Sequence, residues 1–199
     1  MLKMELVDIL QFSKLLNTFG CVERVCYKPD TEVRENDVEH SYQLAMLAWY
    51  IAGNSSLALN KDLVLRYALV HDLVEVYAGD TYLYSKNQDD HDSKQEREES
   101  ARLRIVDEFP LFADLHTTIL QYEKREDDES RFVYVLDKIH PVIQIYLDKG
   151  RMWKEQKVTL SMLLEKKKDK IDISPELIPI WNELEKILIE NESSLFLKD

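Results

Sequence analysis

Glycine, proline, cysteine and cationic charge are all scarce in this chain, and each scarcity excludes something. Its 199 residues hold Gly 4 and Pro 5, too few turn formers for a turn-rich β sandwich. The two cysteines, Cys21 and Cys26, form neither a disulfide framework nor a zinc-knuckle spacing. They read as reduced thiols, which points to a cytoplasmic protein. Lys+Arg 26 against Asp+Glu 38 leaves a net charge of −12. Such a surface repels a polyanion, so no nucleic-acid polymer is expected as a partner. A small phosphorylated substrate stays open, because it needs only a local cationic pocket. Long apolar runs are missing too. None approaches the roughly 20 residues that span a bilayer, and Lys3, Glu5, Asp8 and Lys14 interrupt what would have to be a secretory leader.

What is present is a globular composition, 45% hydrophobic, in helical register. The expected fold class is all-α. The length predicts a single domain over 1–199, with a core over about 5–150 and C-terminal helices over 156–190 packed on it. Leu6, Ile9, Leu10, Leu15 and Leu16 fit an amphipathic first helix. Residues 21–36 read as a loop or irregular connection, and no segment reads as a clear strand. Asn36 and Glu39 form a capping-box start for a helix to about Ala52. Asn60 caps a helix expected to run to near Gly79. Residues 85–100 begin as a polar loop, and helices follow over 97–107 and 111–122, parted by Pro110. A further helix containing Phe132, Leu136 and Ile139 ends at Gly150. A Lys-rich amphipathic helix spans Val158 to Lys170, and Ser174-Pro175 starts the last one.

The informative run is Leu69-Val-His-Asp-Leu-Val-Glu75, apolar nearly all round apart from His71, Asp72 and Glu75. A helix apolar on every face is normally buried. Buried ionised groups cost several kcal/mol each unless paired or bound to a metal. Together with His40 and Asp137, on other expected core helices, they offer two imidazoles and two carboxylates, a set suited to a six-coordinate divalent ion with water in the remaining positions. A metal can lower the pKa of bound water from 15.7 to about 7 in the best zinc case. Glu75 shares a helical face with His71 and Asp72, so it can orient that water or act as general acid/base. Asp80 is placed to do the same.

The pattern resembles the H…HD…D signature of the HD-domain metal-dependent phosphohydrolases. Val38-Glu39-His40-Ser41, His71-Asp72-Leu73-Val74-Glu75 with Gly79-Asp80, and Asp137-Lys138 resemble the branch of the bacterial 5′-deoxynucleotidases and their eukaryotic HD-domain relatives. The similarity covers roughly residues 5–150. It implies a helical HD bundle, a homodimer, and one divalent ion (Mn, Co, Mg, Zn, Ni or Fe) on His40, His71, Asp72 and Asp137. It also implies hydrolysis of a (deoxy)nucleoside 5′-monophosphate, with a small nucleotide as substrate. The family's phosphate-contacting Arg falls on Arg24, and Lys138 is a second candidate for phosphate contact. After that Arg the nucleotidases favour an aromatic beside the sugar, whereas here Val25-Cys26 follow and Tyr27 comes later.

Competing assignments follow from the same residues. His91-Asp92 repeats the dipeptide in a solvated polar run, where charge needs no compensation. His116 lies where two-metal HD enzymes add ligands, but it stands alone, which favours one metal. The lysines of 166–170 read as a solvated face. Pro141, four residues after Asp137, removes a helical N–H and predicts a bend or break there, with the Asp137 carbonyl bonded to water or a side chain. The alternative functions are a phosphodiesterase or nucleotide-alarmone hydrolase on the same metal, and a non-catalytic nucleotide-binding module.

Overall fold

The Asn36–Glu39 capping box closes in both directions. Glu39 N–H donates to Asn36 Oδ1 at 3.0 Å and Asn36 N–H to Glu39 Oε2 at 3.2 Å. That cap fixes where helix α2 (Asp37–Asn54) begins, and hence the first-turn position of His40. The computed structural model describes residues 3–79 and 94–197. In chain order its elements are α1 (Leu6–Phe19), β1 (Glu23–Tyr27), β2 (Arg34–Asn36), α2, α3 (Lys61–Val70), α4 (Glu75–Ala78), α5 (Lys94–Glu108), α6 (Ala113–Lys124), α7 (Asp128–Leu147), α8 (Arg151–Glu155), α9 (Leu160–Ile171), α10 (Ile178–Glu190) and α11 (Glu192–Leu195). The helical fold class stands. The expected absence of strands does not: β1 and β2 pair antiparallel, with Glu23 opposite Asn36 and Tyr27 opposite Arg34. The alternation there is weak because the hairpin is short and mostly half-exposed. Asp30, in the left-handed region at φ 59°, lies between the two strands. Asp30 N–H donates to Asp148 Oδ1 at 3.1 Å, and the Arg151 guanidinium lies over the Tyr27 ring, 4.1 Å from its centroid. The hairpin is therefore held by tertiary contacts that no local pattern announces.

Helix α3 starts as expected, with Asn60 Oδ1 accepting from the N–H groups of Asp62 and Leu63. It does not run on to Gly79. It stops at Val70, residues 71–74 form a tight turn, and α4 is one turn long. The bonds there are three-residue ones, from Leu73 N–H to Val70 and from Glu75 N–H to Asp72. The His71 ring donates through Nδ1 to the Ala68 carbonyl at 2.9 Å, supplying to that carbonyl the bond a continuing helix would have given.

Helix α7 runs unbroken through Pro141, so the expected break is absent. The side chain that reaches this turn is Lys167, whose ammonium donates to the carbonyl of Lys138 at 2.7 Å, one residue beyond the carbonyl expected to be freed. The final long helix begins at Ile178 rather than beside Ser174, because residues 174–177 form a turn closed by Leu177 N–H on the Ser174 carbonyl. Residues of α2, α3, α7, α9, α10 and α11 share the main core, around Tyr67, Phe132, Leu136 and Trp153. A second cluster lies beneath α1, α4, α5 and α6. Of the five apolar positions read in α1, only Leu15 is buried; Leu6 and Leu10 are 70% and 60% exposed.

Gly150 sits at φ +71°, and a Cβ there would run into the carbonyl of Leu195. This close approach seats α11 on the α7–α8 corner, where Trp153 stacks on Phe196 at 4.5 Å. Gly150→Ala is expected to cost about 3 kcal/mol, from left-handed strain plus overpacking. Thermal unfolding should then show Tm lower by about 10 °C. An unchanged Tm would mean that the corner opens freely.

Candidate metal centre

Four ligand atoms converge where α2, the α3–α4 turn and α7 meet. One atom each from His40, His71, Asp72 and Asp137 lies within 4.8 Å of all the others. His40 is fully buried, and His71 and Asp137 nearly so. His40 Nε2 is 3.0 Å from Asp137 Oδ1, and His71 Nε2 is 2.9 Å from Asp72 Oδ2 and 3.7 Å from Asp137 Oδ1. The His71 tautomer is set by the Ala68 carbonyl at Nδ1, which leaves Nε2 directed into the cluster. That atom is buried, and its short approach to Asp72 lacks hydrogen-bond alignment. A buried ring nitrogen without a hydrogen bond, among two carboxylates and a second imidazole, fits a divalent cation.

The electrostatics agree. Burial alone would lower the His71 pKa, but Asp72 and Asp137 outweigh it and raise it to about 10. Burial would raise both carboxyls, yet His71 pulls Asp72 well below the usual carboxylate range, and Lys138 with the two imidazoles does the same for Asp137. The cluster thus holds two carboxylates ionised and draws in positive charge.

The other expected site residues are placed as follows. Glu75 is buried and joins Asp37 and Asp72 in a neighbouring acidic group whose ligand atoms lie within 4.8 Å of one another. Lys94 Nζ stands 3.8 Å from Glu75 Oε1. Arg24, on β1, puts Nη1 at 2.8 Å from Asp72 Oδ2 and 3.1 Å from Asp37 Oδ1. Lys138 Nζ lies 2.6 Å from Asp137 Oδ2. Arg24, Asp72, Glu75, Asp137 and Lys138 all line one cavity of about 860 Å³. Asp80, His91 and Asp92 lie outside the described residues. His116 is not brought to the cluster: its Nε2 faces the Phe109 carbonyl at 2.9 Å.

Three groups behind or beside the cluster escaped the sequence reading. Glu35 Oε2 faces His40 Nδ1 at 3.5 Å, and the His140 ring stacks on His40 with their Nδ1 atoms 3.2 Å apart. Burial, then His40, pushes the His140 pKa down to about 4, so this imidazole is neutral at pH 7. Glu35 lay in a segment read as irregular. His140 could have been found, since it lies three residues after Asp137 and so within the same helical turn. The third is Lys167, which the sequence reading placed on a solvated face. It is only 4% exposed and lines the cavity. Its register is the missed signal, because Leu160, Leu163, Lys167 and Ile171 form the buried stripe of α9.

A carboxylate behind a ligating imidazole fixes its orientation and raises its basicity. Glu35→Gln is therefore expected to weaken divalent-metal uptake about tenfold, read by titration of metal-stripped protein. Unchanged affinity would show that Glu35 serves Arg24 and Gln43 and not the metal site.

The geometry has counterparts in known proteins. The chain is 31% identical to the 5′-deoxynucleotidase HDDC2 of Homo sapiens over 140 residues, 69% of this chain and 66% of that protein. It therefore spans just under two thirds of that relative's length. The corresponding mouse protein is 30% identical over 140 residues, 68% of this chain and 67% of that one. The crystal structure of a predicted metal-dependent phosphohydrolase from Magnetospirillum magnetotacticum MS-1 superposes with TM-score 0.80 at 26% identity, covering 96% of each chain. The HD-domain model matches residues 22–178, well over half of its length, and the chain belongs to the HD-domain family.

Proposed function

We propose that this protein is a metal-dependent phosphomonoesterase that hydrolyses nucleoside 5′-monophosphates to nucleoside and phosphate. The observation that carries this reading is the convergence of His40, His71, Asp72 and Asp137 at the wall of a cavity that also holds Glu75, Arg24 and Lys138. The names of the similar proteins agree with it. One divalent ion on the quartet would supply Lewis-acid polarisation and a nucleophile at neutral pH.

The side chains divide the remaining work. Glu75 takes the proton of the attacking water, with the Lys94 ammonium 3.8 Å from its Oε1. Lys138 and Arg24 bind the phosphate oxygens and offset charge that develops on them. Arg24 is shared with Asp37 and Asp72, so it also holds a ligand carboxylate in place. Val25 and Cys26 line the cavity beside it, where the nucleotidases favour an aromatic.

The oligomer and the setting belong to the same reading. The domain is taken as one unit over 1–199, since α9, α10 and α11 share the core of α2, α3 and α7. Tyr42, Met46, Trp49 and Tyr50 are exposed at one helical face of α2, and Leu6, Ile9 and Leu10 are exposed on α1. Apolar faces of this kind mark association sites and support a homodimer. No helix among the described residues is long and apolar enough to cross a membrane. Cys21 and Cys26 are free thiols, as suits a cytoplasmic protein.

Three outcomes are expected. His71→Ala or Asp72→Ala should abolish metal binding and hydrolysis in a panel of mono- and diesters, while Asp92→Ala should do neither; equal metal loss in the Asp92 variant would mean the wrong His-Asp pair. Glu75→Ala should keep the metal and the nucleotide but lose about 10²–10⁴-fold in rate; metal loss along with rate would make Glu75 a ligand. Tyr42→Glu with Trp49→Glu should convert a dimer to a monomer in sedimentation, and an unchanged mass would move the interface elsewhere. Turnover of diesters alone would favour the phosphodiesterase reading, and binding without turnover under any metal would favour the non-catalytic module.

A further inference from the structure

The cavity has a second charged end that the HD signature does not describe. Lys167 and Lys170 of α9 line it together with Lys138. Lys167 is 4% exposed, and among the described residues its ammonium donates to a neutral group, the Lys138 carbonyl at 2.7 Å. Among the described residues neither Lys167 nor Lys170 pairs with a carboxylate. Burying an ammonium costs several kcal/mol unless an anion compensates. Burial, followed by repulsion from Lys138, lowers the Lys167 pKa to about 7, and Lys170 is lowered for the same reasons. Among the described residues, then, no carboxylate balances the charge at this end of the cavity.

Its position separates it from the metal quartet. Helical side chains tilt toward the N-terminus, whereas helical carbonyls point toward the C-terminus. The Asp137 carboxylate and the Lys138 carbonyl thus point in opposite directions along α7. Pro141 removes a donor from this turn and crowds it, and Lys167 approaches there. Pro141 and Ile145, the next positions on that face, line the cavity onward from Asp137.

We propose that Lys167 and Lys170 form a second anion-binding pole, and that the cavity prefers nucleotides with a second phosphate besides the one at the metal quartet. The proposal rests on the phosphohydrolase reading for the ligand class, but its test reads binding. Metal-loaded protein carrying Glu75→Ala, which removes turnover, is titrated calorimetrically with deoxyadenosine 5′-monophosphate and deoxyadenosine 3′,5′-bisphosphate. The bisphosphate is expected to bind about tenfold tighter, the scale of one hydrogen bond to a charged group. Lys167→Met, which keeps volume and removes a buried charge, should erase that advantage and leave monophosphate affinity within about twofold. Lys170→Met should reduce it in part and serves as the test if the Lys167 variant does not fold; exposed Lys168→Met should leave it intact. Equal loss for both ligands would overturn the second pole and assign Lys167 to the metal-side phosphate. Equal affinity of the two ligands for the parent protein would also overturn it. Hydrolysis of the monophosphate by the wild type is scored separately, so its absence counts against the proposed activity and not against the pole.

Discussion

Two carboxylates that must stay ionised side by side are the constraint that the rest of the structure answers. Ligand oxygens of Asp72 and Asp137 lie within 4.8 Å of each other, a repulsion of roughly 3–4 kcal/mol at an effective dielectric of 20. That exceeds what any surface ion pair returns. Each carboxylate has a cation beside it, delivered by a different element: Arg24 from β1, shared with Asp37, for Asp72, and Lys138 from α7 for Asp137. The two imidazoles lie between them. A divalent cation can replace part of this pairing without rebuilding the walls.

The same constraint accounts for the two places where regular structure gives way. Had α3 continued, Asp72 and Glu75 would have followed a single helical face. The turn at 71–74 instead directs His71 and Asp72 toward α7, while Glu75 starts a new short helix beside the acidic group. The hairpin exists for a related reason. Arg24 must reach Asp37 and Asp72 from outside the helical bundle, and an extended strand anchored at Asp30, Tyr27 and Arg151 holds it there.

Helical periodicity and capping chemistry made most of the fold legible. Asn36, Asn60 and the apolar rows of α2 and α7 locate their helices, and charges inside apolar runs identify His71, Asp72 and Glu75. What failed was whatever depends on contacts distant in sequence. The hairpin is too short to alternate visibly and is held from residues 148 and 151. The break after Val70 is the local exception, set by a bond from the His71 ring to the carbonyl three residues before it, which periodicity does not register. The apolar positions of α1 do form a stripe, yet most of them stay exposed, because periodicity gives a face but not its partner. Lys167 failed in the opposite way. Its neighbours in sequence are lysines, so composition suggested solvent, while its register lay on the buried stripe.

That last case separates two parts of the site. The quartet and its cations come from residues 24–138, and they are tied so closely that changing one alters the others. The far wall comes from α8 and α9, where Trp153, Leu163 and Lys167 line the cavity. Substitutions there alter the volume and charge of the cavity's far end. A helix that is Lys-rich on its exposed side can still turn one lysine inward, because Lys167 keeps its aliphatic stem in the core and its head on the carbonyl of Lys138. The quartet and the α9 wall are thus built by different elements of the chain, and they meet where Lys167 donates to the Lys138 carbonyl.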